Sequence, residues 1–283
     1  MPELPEVETI KTDLAHKLIG LQITDVFIFD DRVIRNCRLK QFKKFIIGKI
    51  FKSVTRQGKA IIFKFDPFGF LIVQPMMTGQ LIYQPGQELI DFSKKRPTTA
   101  TKIIFQLSNR DCLLYNDQRL FGRLNVLLDL GTFEFFKSLG PDPLADSFTV
   151  DWLKHELKKR KTPIKTLLMN QNFIAGIGNI YASEILFGSG IHPLRRANEL
   201  TAREVGVLYK ITVQILNQAV LFRGTSMNTY RDGSGAKGQF ISRIKVYGRE
   251  REACMKCKTP IQRLSQAGRS TFFCQHCQPA RVS

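Results

Sequence analysis

The residues best equipped for chemistry stand at the two ends of the chain. The first eight read Met1-Pro2-Glu3-Leu4-Pro5-Glu6-Val7-Glu8. Pro2 is small at the penultimate position, so removal of the initiator methionine would leave it as a free secondary amine. An α-amino group titrates at about pH 8, and its neutral fraction is nucleophilic at neutral pH. A secondary amine that attacks an aldehyde-level carbon forms an iminium ion. That ion has no N–H proton to lose, so it keeps its charge and acts as an electron sink. Glu3 beside it can serve as an acid. The same octapeptide also fits a plain helix start, with proline in the first turn and acids facing the helix dipole, so alone it decides nothing.

At the other end, Cys254-Met255-Lys256-Cys257 and Cys274-Gln275-His276-Cys277 follow the pattern C-x2-C-x16-C-x2-C. Each pair places two thiolates on one tight knuckle. Four thiolates fill a tetrahedral zinc and leave no open position, so the expected metal is a single structural Zn2+. Disulfides instead would need an oxidising compartment that nothing else in the chain supports. Between the pairs, Ile261–Leu264 and Ser270–Phe273 can form a hairpin around Gln266-Ala267-Gly268, with Arg269 near its tip. Cys37 and Cys112 stand apart and read as reduced structural thiols.

These groups need elements to position them. Glu3 to Leu18 reads as a helix with Val7, Ile10, Leu14 and Leu18 on one stripe, ended by Gly20. Short strand patterns follow at 23–29, 49–55, 60–65, 70–74, 102–107 and 112–116, separated by turn residues, as in a β-sandwich. Leu139-Gly140-Pro141-Asp142-Pro143 looks like a linker. Beyond it, helical patterns cover 149–159, 164–169 and 179–187. Thr201-Ala202-Arg203-Glu204 is a capping box opening a long helix to about Phe222, closed by Gly224. Residues 225–238 read as a glycine- and serine-containing flexible loop, and 239–247 as strand-like.

The 283 residues suffice for two cores, and 43% are hydrophobic. There are 43 Lys and Arg against 24 Asp and Glu, net +19. Residues 1–146 hold 21 basic and 16 acidic residues, net +5, and residues 147–283 hold 22 and 8, net +14. So segregated an excess points to a polyanion, with nucleic acid first. No apolar run approaches a membrane span and no signal-peptide pattern opens the chain, so a soluble, cytoplasmic protein with no membrane partner is expected.

Internal motifs add to this. Ala175-Gly176-Ile177-Gly178-Asn179 opens a helix, where free N–H groups favour a phosphate, although a tight packing turn uses the same string. Lys59, after Gly58, fits a phosphate contact or a plain surface charge. Asp117-Gln118-Arg119-Leu120-Phe121-Gly122 pairs a cation with an aromatic just after a strand, a pair able to enter a duplex.

Pro2-Glu3-Leu4-Pro5-Glu6-Val7-Glu8, Gly176-Ile177-Gly178-Asn179-Ile180-Tyr181 and the terminal four-cysteine ribbon together resemble the bacterial formamidopyrimidine-DNA glycosylases. Met77-Thr78-Gly79, Ile191-His192-Pro193-Leu194-Arg195 and Val246-Tyr247-Gly248-Arg249 extend the resemblance over nearly the whole chain. It implies an α+β fold in three segments. These are a catalytic β-sandwich with flanking helices (1–140), a helix–two-turn–helix domain with a lesion-capping loop (141–238) and a zinc-finger hairpin (239–283). It also implies a monomeric base-excision repair enzyme that flips oxidised purines such as 8-oxoguanine out of duplex DNA, removes them through a proline Schiff base and cleaves the strand by β,δ-elimination.

By the same resemblance Pro2 is the nucleophile, Glu3 the acid that assists ring opening, and Glu6 a supporting acid. Lys59, Lys165 and Asn179 hold phosphates near the lesion, and Arg269 clamps a phosphate from the zinc hairpin. Met77, Arg119 and Phe121 fill the gap left by the extruded base, with Arg119 on the orphaned cytosine. The chain departs from the family at Gln74-Pro75, where His-Leu is common, at Leu120, where a basic residue is usual, and at Gln239, where an aromatic is common. These departures bear on lesion preference and opposite-base stringency. Two other classes are a sibling enzyme for oxidised pyrimidines, like endonuclease VIII, and a non-catalytic DNA-binding zinc protein. Leu4 and the Arg119–Phe121 pair speak against the first; Pro2 with Glu3 speaks against the second.

Overall fold

The computed structural model describes residues 1–86 and 97–280. Two compact units divide the chain, Met1–Lys137 with Phe222–Gln239, and Ser138–Leu221 with Phe240–Ser283.

In the first unit, helix α1 (Leu4–Leu18) buries its expected stripe completely, with Val7, Ile10, Leu14 and Leu18 all at 0% exposure. Each such side chain gains roughly 1.5–3 kcal/mol on burial. Gly20 ends the helix at φ +88°, a left-handed conformation that favours glycine. The helix packs on a pair of antiparallel four-stranded sheets. One has the order β1-β6-β7-β5, from Ile23–Ile28, Thr101–Leu107, Cys112–Asp117 and Gly79–Gln84; the other has β2-β3-β4-β8, from Ile50–Gln57, Ala60–Asp66, Phe70–Gln74 and Arg123–Leu127. Phe51, Phe63, Phe105, Tyr115 and Leu71 meet the α1 stripe in one core. Ile104, Cys112 and Leu114 face the other way into a smaller cluster with Phe27, Phe29 and Ile82. Strand β6 is therefore covered on both faces and reads as a nearly unbroken apolar run.

The first unit contains two strands beyond the six patterns, β5 and β8, a second helix, α2 (Leu39–Ile46), which buries Phe42 and Ile46, and a one-turn helix after β8, α3 (Glu134–Lys137). The segment 222–239, expected with the second segment of the chain, packs instead with the sandwich. Its anchor is Tyr230, which lies in the core and whose hydroxyl donates to Arg223 O at 3.1 Å.

The second unit is helical. Helices α4 (Val150–Lys158), α5 (Ile164–Leu168), α6 (Asn179–Ser189) and α7 (Ala202–Leu221) precede the β9–β10 hairpin (Gln262–Gln266, Arg269–Phe273). The capping box at α7 forms as expected. Thr201 N donates to Glu204 Oε2 at 2.8 Å, and Glu204 N donates to Thr201 Oγ1 at 3.3 Å. Helix α6 is buried from Tyr181 to Phe187, between α7 and β10. The stretch 239–247 is not a strand. It contains a short 3-10 turn at Phe240–Arg243. The N–H groups of Lys245, Val246 and Tyr247 all donate to the Glu184 carboxylate at 2.9 Å, so a strand partner has no donors left to take there. Burial pushes the Glu184 carboxyl up, and these three donors pull it part of the way back.

Candidate functional site

The chemistry-bearing residues of the first unit form two groups. The first surrounds the N-terminus. Glu6, 1% exposed, accepts from Glu3 N at 2.8 Å through Oε2 and from Thr225 N at 2.7 Å through Oε1. One carboxylate thus fixes the backbone of Glu3 and the start of the 225–238 loop. Gly224 leaves room for this, because a Cβ there would lie 2.7 Å from Glu6 Oε1. Glu3 itself is 3% exposed. The α-amino group here is that of Met1. Burial lowers the pKa of this amine, and Lys59 lowers it further, while Glu3 and Glu6 raise it; the net shift is downward. Amine, Glu3, Glu6 and Lys59 therefore share one electrostatic neighbourhood, and the amine is neutral at lower pH than a free terminus.

Lys59 reaches this neighbourhood from a two-residue hairpin loop, Gly58-Lys59, between β2 and β3, with Gln57 paired to Ala60. Gly58 has φ +56°, as the first position of such a tight loop requires. Arg56 locks the turn: its Nη1 donates to Gly58 O at 3.0 Å and its Nε to Glu8 Oε2 at 2.7 Å.

The second group is Met77, Arg119 and Phe121. Met77 and Arg119, 42 apart in sequence, come together because Thr78 and Asp117, 39 apart, bind side chain to side chain. Asp117, 0% exposed, also accepts from Arg119 N at 3.2 Å and from Gly122 N at 2.8 Å. The outcome is a projecting cluster in which Met77 is 42% and Phe121 46% exposed. The Arg119 guanidinium lies 4.7 Å from the Phe121 ring centroid and 3.4 Å from Met77 Sδ. Leu120, between them, takes φ +58° and turns its side chain to the core. Sequence reasoning misses Asp117 as the organiser, although an Asp two residues before the arginine is a turn signal. It also misses the bond from Gln80 to Thr229 O, which ties the 225–238 loop to β5.

In the second unit, Lys165 is 1% exposed. Its ammonium donates to Asn179 Oδ1 at 2.5 Å, Thr271 Oγ1 at 2.7 Å and Ser270 O at 3.2 Å, while Asn179 Nδ2 donates to Ser270 O at 2.9 Å. Lys165 therefore fastens the hairpin to the start of α6, leaving Arg269 exposed at the head of β10. The preceding loop is shaped by Gln171, which accepts from Gly176 N and donates to Ile177 O.

The sulfurs of Cys254, Cys257, Cys274 and Cys277 lie within 4.8 Å of one another, and none of the six cysteines is disulfide-bonded. Tetrahedral Zn–S bonds of about 2.3 Å need sulfurs roughly 3.8 Å apart, and Cys254–Cys277 at 3.9 Å and Cys257–Cys274 at 3.4 Å match that. The donor set fits one structural zinc. Buried Gln278 braces it, accepting from Cys274 N and donating to Ile191 O.

Comparison with known proteins agrees along the chain. The model of the formamidopyrimidine-DNA glycosylase N-terminal domain matches residues 1–124, that of the formamidopyrimidine-DNA glycosylase H2TH domain 139–231, and that of the zinc finger found in FPG and IleRS 251–280. The formamidopyrimidine-DNA glycosylase of Desulforamulus reducens is 40% identical over 284 residues, covering 99% of this chain and 100% of that protein. That of Pelotomaculum thermopropionicum is 39% identical over 283 residues, with 99% and 100% covered. Among solved structures, Lactococcus lactis Fpg in complex with DNA containing an abasic site superposes with a TM-score of 0.89 at 30% identity, covering 98% of this chain and 100% of that one. The MutM (Fpg) protein of Thermus thermophilus gives 0.86 at 33% identity, with 99% and 100% covered.

Proposed function

The chain belongs to the formamidopyrimidine-DNA glycosylase family, and on that premise we propose that Pro2, exposed by loss of Met1, is the nucleophile of a bifunctional glycosylase and AP lyase acting on oxidised purines. The observation that supports this is the gathering of buried Glu3, buried Glu6 and Lys59 around the start of the chain, where loss of Met1 would leave Pro2 N. Its substrate is damaged duplex DNA. A stacked base must leave the helix before chemistry, at a cost of a few kcal/mol. Met77, Arg119 and Phe121 enter the vacated space, and Lys59, Asn179 and Arg269 hold phosphates; Lys165 acts through the position it gives Asn179 and the hairpin.

Pro2 N attacks C1′ and the base departs. Glu3 delivers a proton to the sugar ring oxygen, opening the ring to an iminium. The iminium makes the C2′ protons acidic; loss of one expels the 3′ phosphate, and a second elimination expels the 5′ phosphate. The zinc supplies no step; it stabilises the hairpin that carries Arg269. We read 1–140, 141–238 and 239–283 as the catalytic, helix–two-turn–helix and zinc segments of a monomer working in the cytoplasm on nucleoid DNA.

Borohydride trapping on duplex containing 8-oxoguanine opposite cytosine tests this. The expected product is a covalent adduct at residue 2, absent when Met1 is retained. Glu3→Gln should slow excision by about 10²–10⁴-fold with binding retained. An adduct mapping to a lysine, with Pro2→Ala fully active, would sink the assignment.

A further inference from the structure

Strands β4 and β8 pair so that Gln74 faces Arg123 and Ile72 faces Asn125. Side chains two apart on a strand share a face, so Gln74, Arg123 and Asn125 stand together on one side of the sheet. The segment after β8 brings Phe133 and Phe135 across them. The cavity they border is half open to solvent, has a volume of about 420 Å³ and is lined by Arg35, Gln74, Arg123, Asn125, Phe133 and Phe135. That lies within the roughly 300–1,000 Å³ range of small-molecule sites.

Gln74 is 8% and Asn125 6% exposed. Neither carboxamide is among the buried polar atoms left without a partner, and the open side of the cavity lets a ligand reach both. Arg123 has no ion pair among the described residues, and Arg35 donates only to the Leu120 and Gly122 carbonyls at 3.3 and 3.5 Å. No carboxylate lines the cavity to balance the two guanidinium groups. The two phenylalanines are half-buried, and each packs on Phe136, at 5.2 and 5.6 Å between centroids.

Two cations, two carboxamides and an aromatic wall are three separate demands on one occupant. An anion answers the first, a group with adjacent donors and acceptors the second, and a flat π-system the third. We propose that this cavity binds a nucleoside monophosphate unit, with its phosphate on Arg35 and Arg123, its base edge on Gln74 and Asn125, and its base face against Phe133 and Phe135. The unit is either a free nucleotide or an unpaired nucleotide of a DNA strand. None of Pro2, Glu3, Met77, Arg119 and Phe121 lines the site, which borders the Arg119–Phe121 turn through the bonds of Arg35 to the Leu120 and Gly122 carbonyls.

The test is calorimetric titration with 2′-deoxyguanosine 5′-monophosphate, deoxyguanosine, inorganic phosphate and a short 5′-phosphorylated single strand. Saturable binding of the nucleotide or the strand is expected, with deoxyguanosine and phosphate each weaker by roughly tenfold or more, the worth of one good bidentate contact. Whichever of the free nucleotide and the strand binds more tightly identifies the source. Arg123→Ala and Asn125→Leu should each weaken binding by about the same factor. Borohydride trapping on lesion duplex should be unchanged in both, which separates this proposal from the catalytic assignment and shows that the variants fold. Arg123 is exposed, so its truncation serves if Asn125→Leu fails to fold. Absence of binding by both nucleotide and strand, phosphate binding as tightly as the nucleotide, or full affinity in Arg123→Ala would each overturn it.

Discussion

Replacing Glu6 by Gln keeps its shape and removes one of its two acceptor oxygens. In the native protein each oxygen receives a buried backbone N–H, from Glu3 at 2.8 Å and from Thr225 at 2.7 Å. The new amide can accept from only one of them; the other N–H meets an NH2 group and is left without a partner. An unsatisfied buried donor costs about 1–3 kcal/mol. The loop is the softer side, so the loss should appear there as local opening rather than global unfolding. At a factor of ten per 1.4 kcal/mol, hydrogen exchange at the Thr225 amide should accelerate by roughly 5–150-fold. If the whole unit responds instead, Tm should fall by about 2–12 °C. Excision should slow in step, because the same carboxylate holds Glu3. Gly224→Ala drives a Cβ toward Glu6 Oε1 at a φ of +77°, so it should loosen the same amide and be non-additive with Glu6→Gln. A Glu6→Gln protein with native Thr225 protection and native Tm would refute the reasoning, since no bond of consequence would have been lost.

Arg119→Ala should reduce the preference for cytosine over adenine opposite 8-oxoguanine by about 10–100-fold, read by single-turnover excision against each opposite base; unchanged discrimination would mean another residue reads the orphan. Chelation of the zinc should release the ribbon and weaken DNA binding by at least roughly tenfold, because a structural site's binding energy is folding energy; a metal-free protein with full affinity would contradict this. Burial resists ionisation of Glu204, but the bonds from Arg195 and Thr201 outweigh it and hold the carboxyl at about 2, below the ordinary 4.5. A depressed carboxylate stabilises above its unfolded pKa, so this contribution is whole above pH 4.5 and is lost as the pH falls toward 2. Glu204→Gln should therefore lower stability at neutral pH, by urea titration, and flatten the acid limb; an unaltered acid limb would exclude that linkage.

The sequence by itself determined the features that depend on local spacing. The α1 stripe, the α7 capping box and the two cysteine knuckles rest on residues three to four apart or on one tight turn, so backbone geometry alone relates them. The pattern of the terminal octapeptide likewise marks Pro2 and Glu3. Charge segregation pointed to a polyanion without any fold. Tertiary structure decided the rest, because long-range partners override local preference. Strand β8, Arg123-Leu124-Asn125-Val126-Leu127, alternates polar and apolar residues over only five positions, and it is the pairing with β4 that makes it a strand of the sandwich. Residues 239–247 have strand-like composition, yet Glu184, some 60 positions earlier, takes three of their N–H groups. Lys165 looks like a solvent cation in sequence, and only the meeting of α5, α6 and β10 supplies the three acceptors that keep it inside. Met77 joins Arg119 and Phe121 because Thr78 meets Asp117 across the β5–β7 register, a pairing of strands that no local pattern encodes.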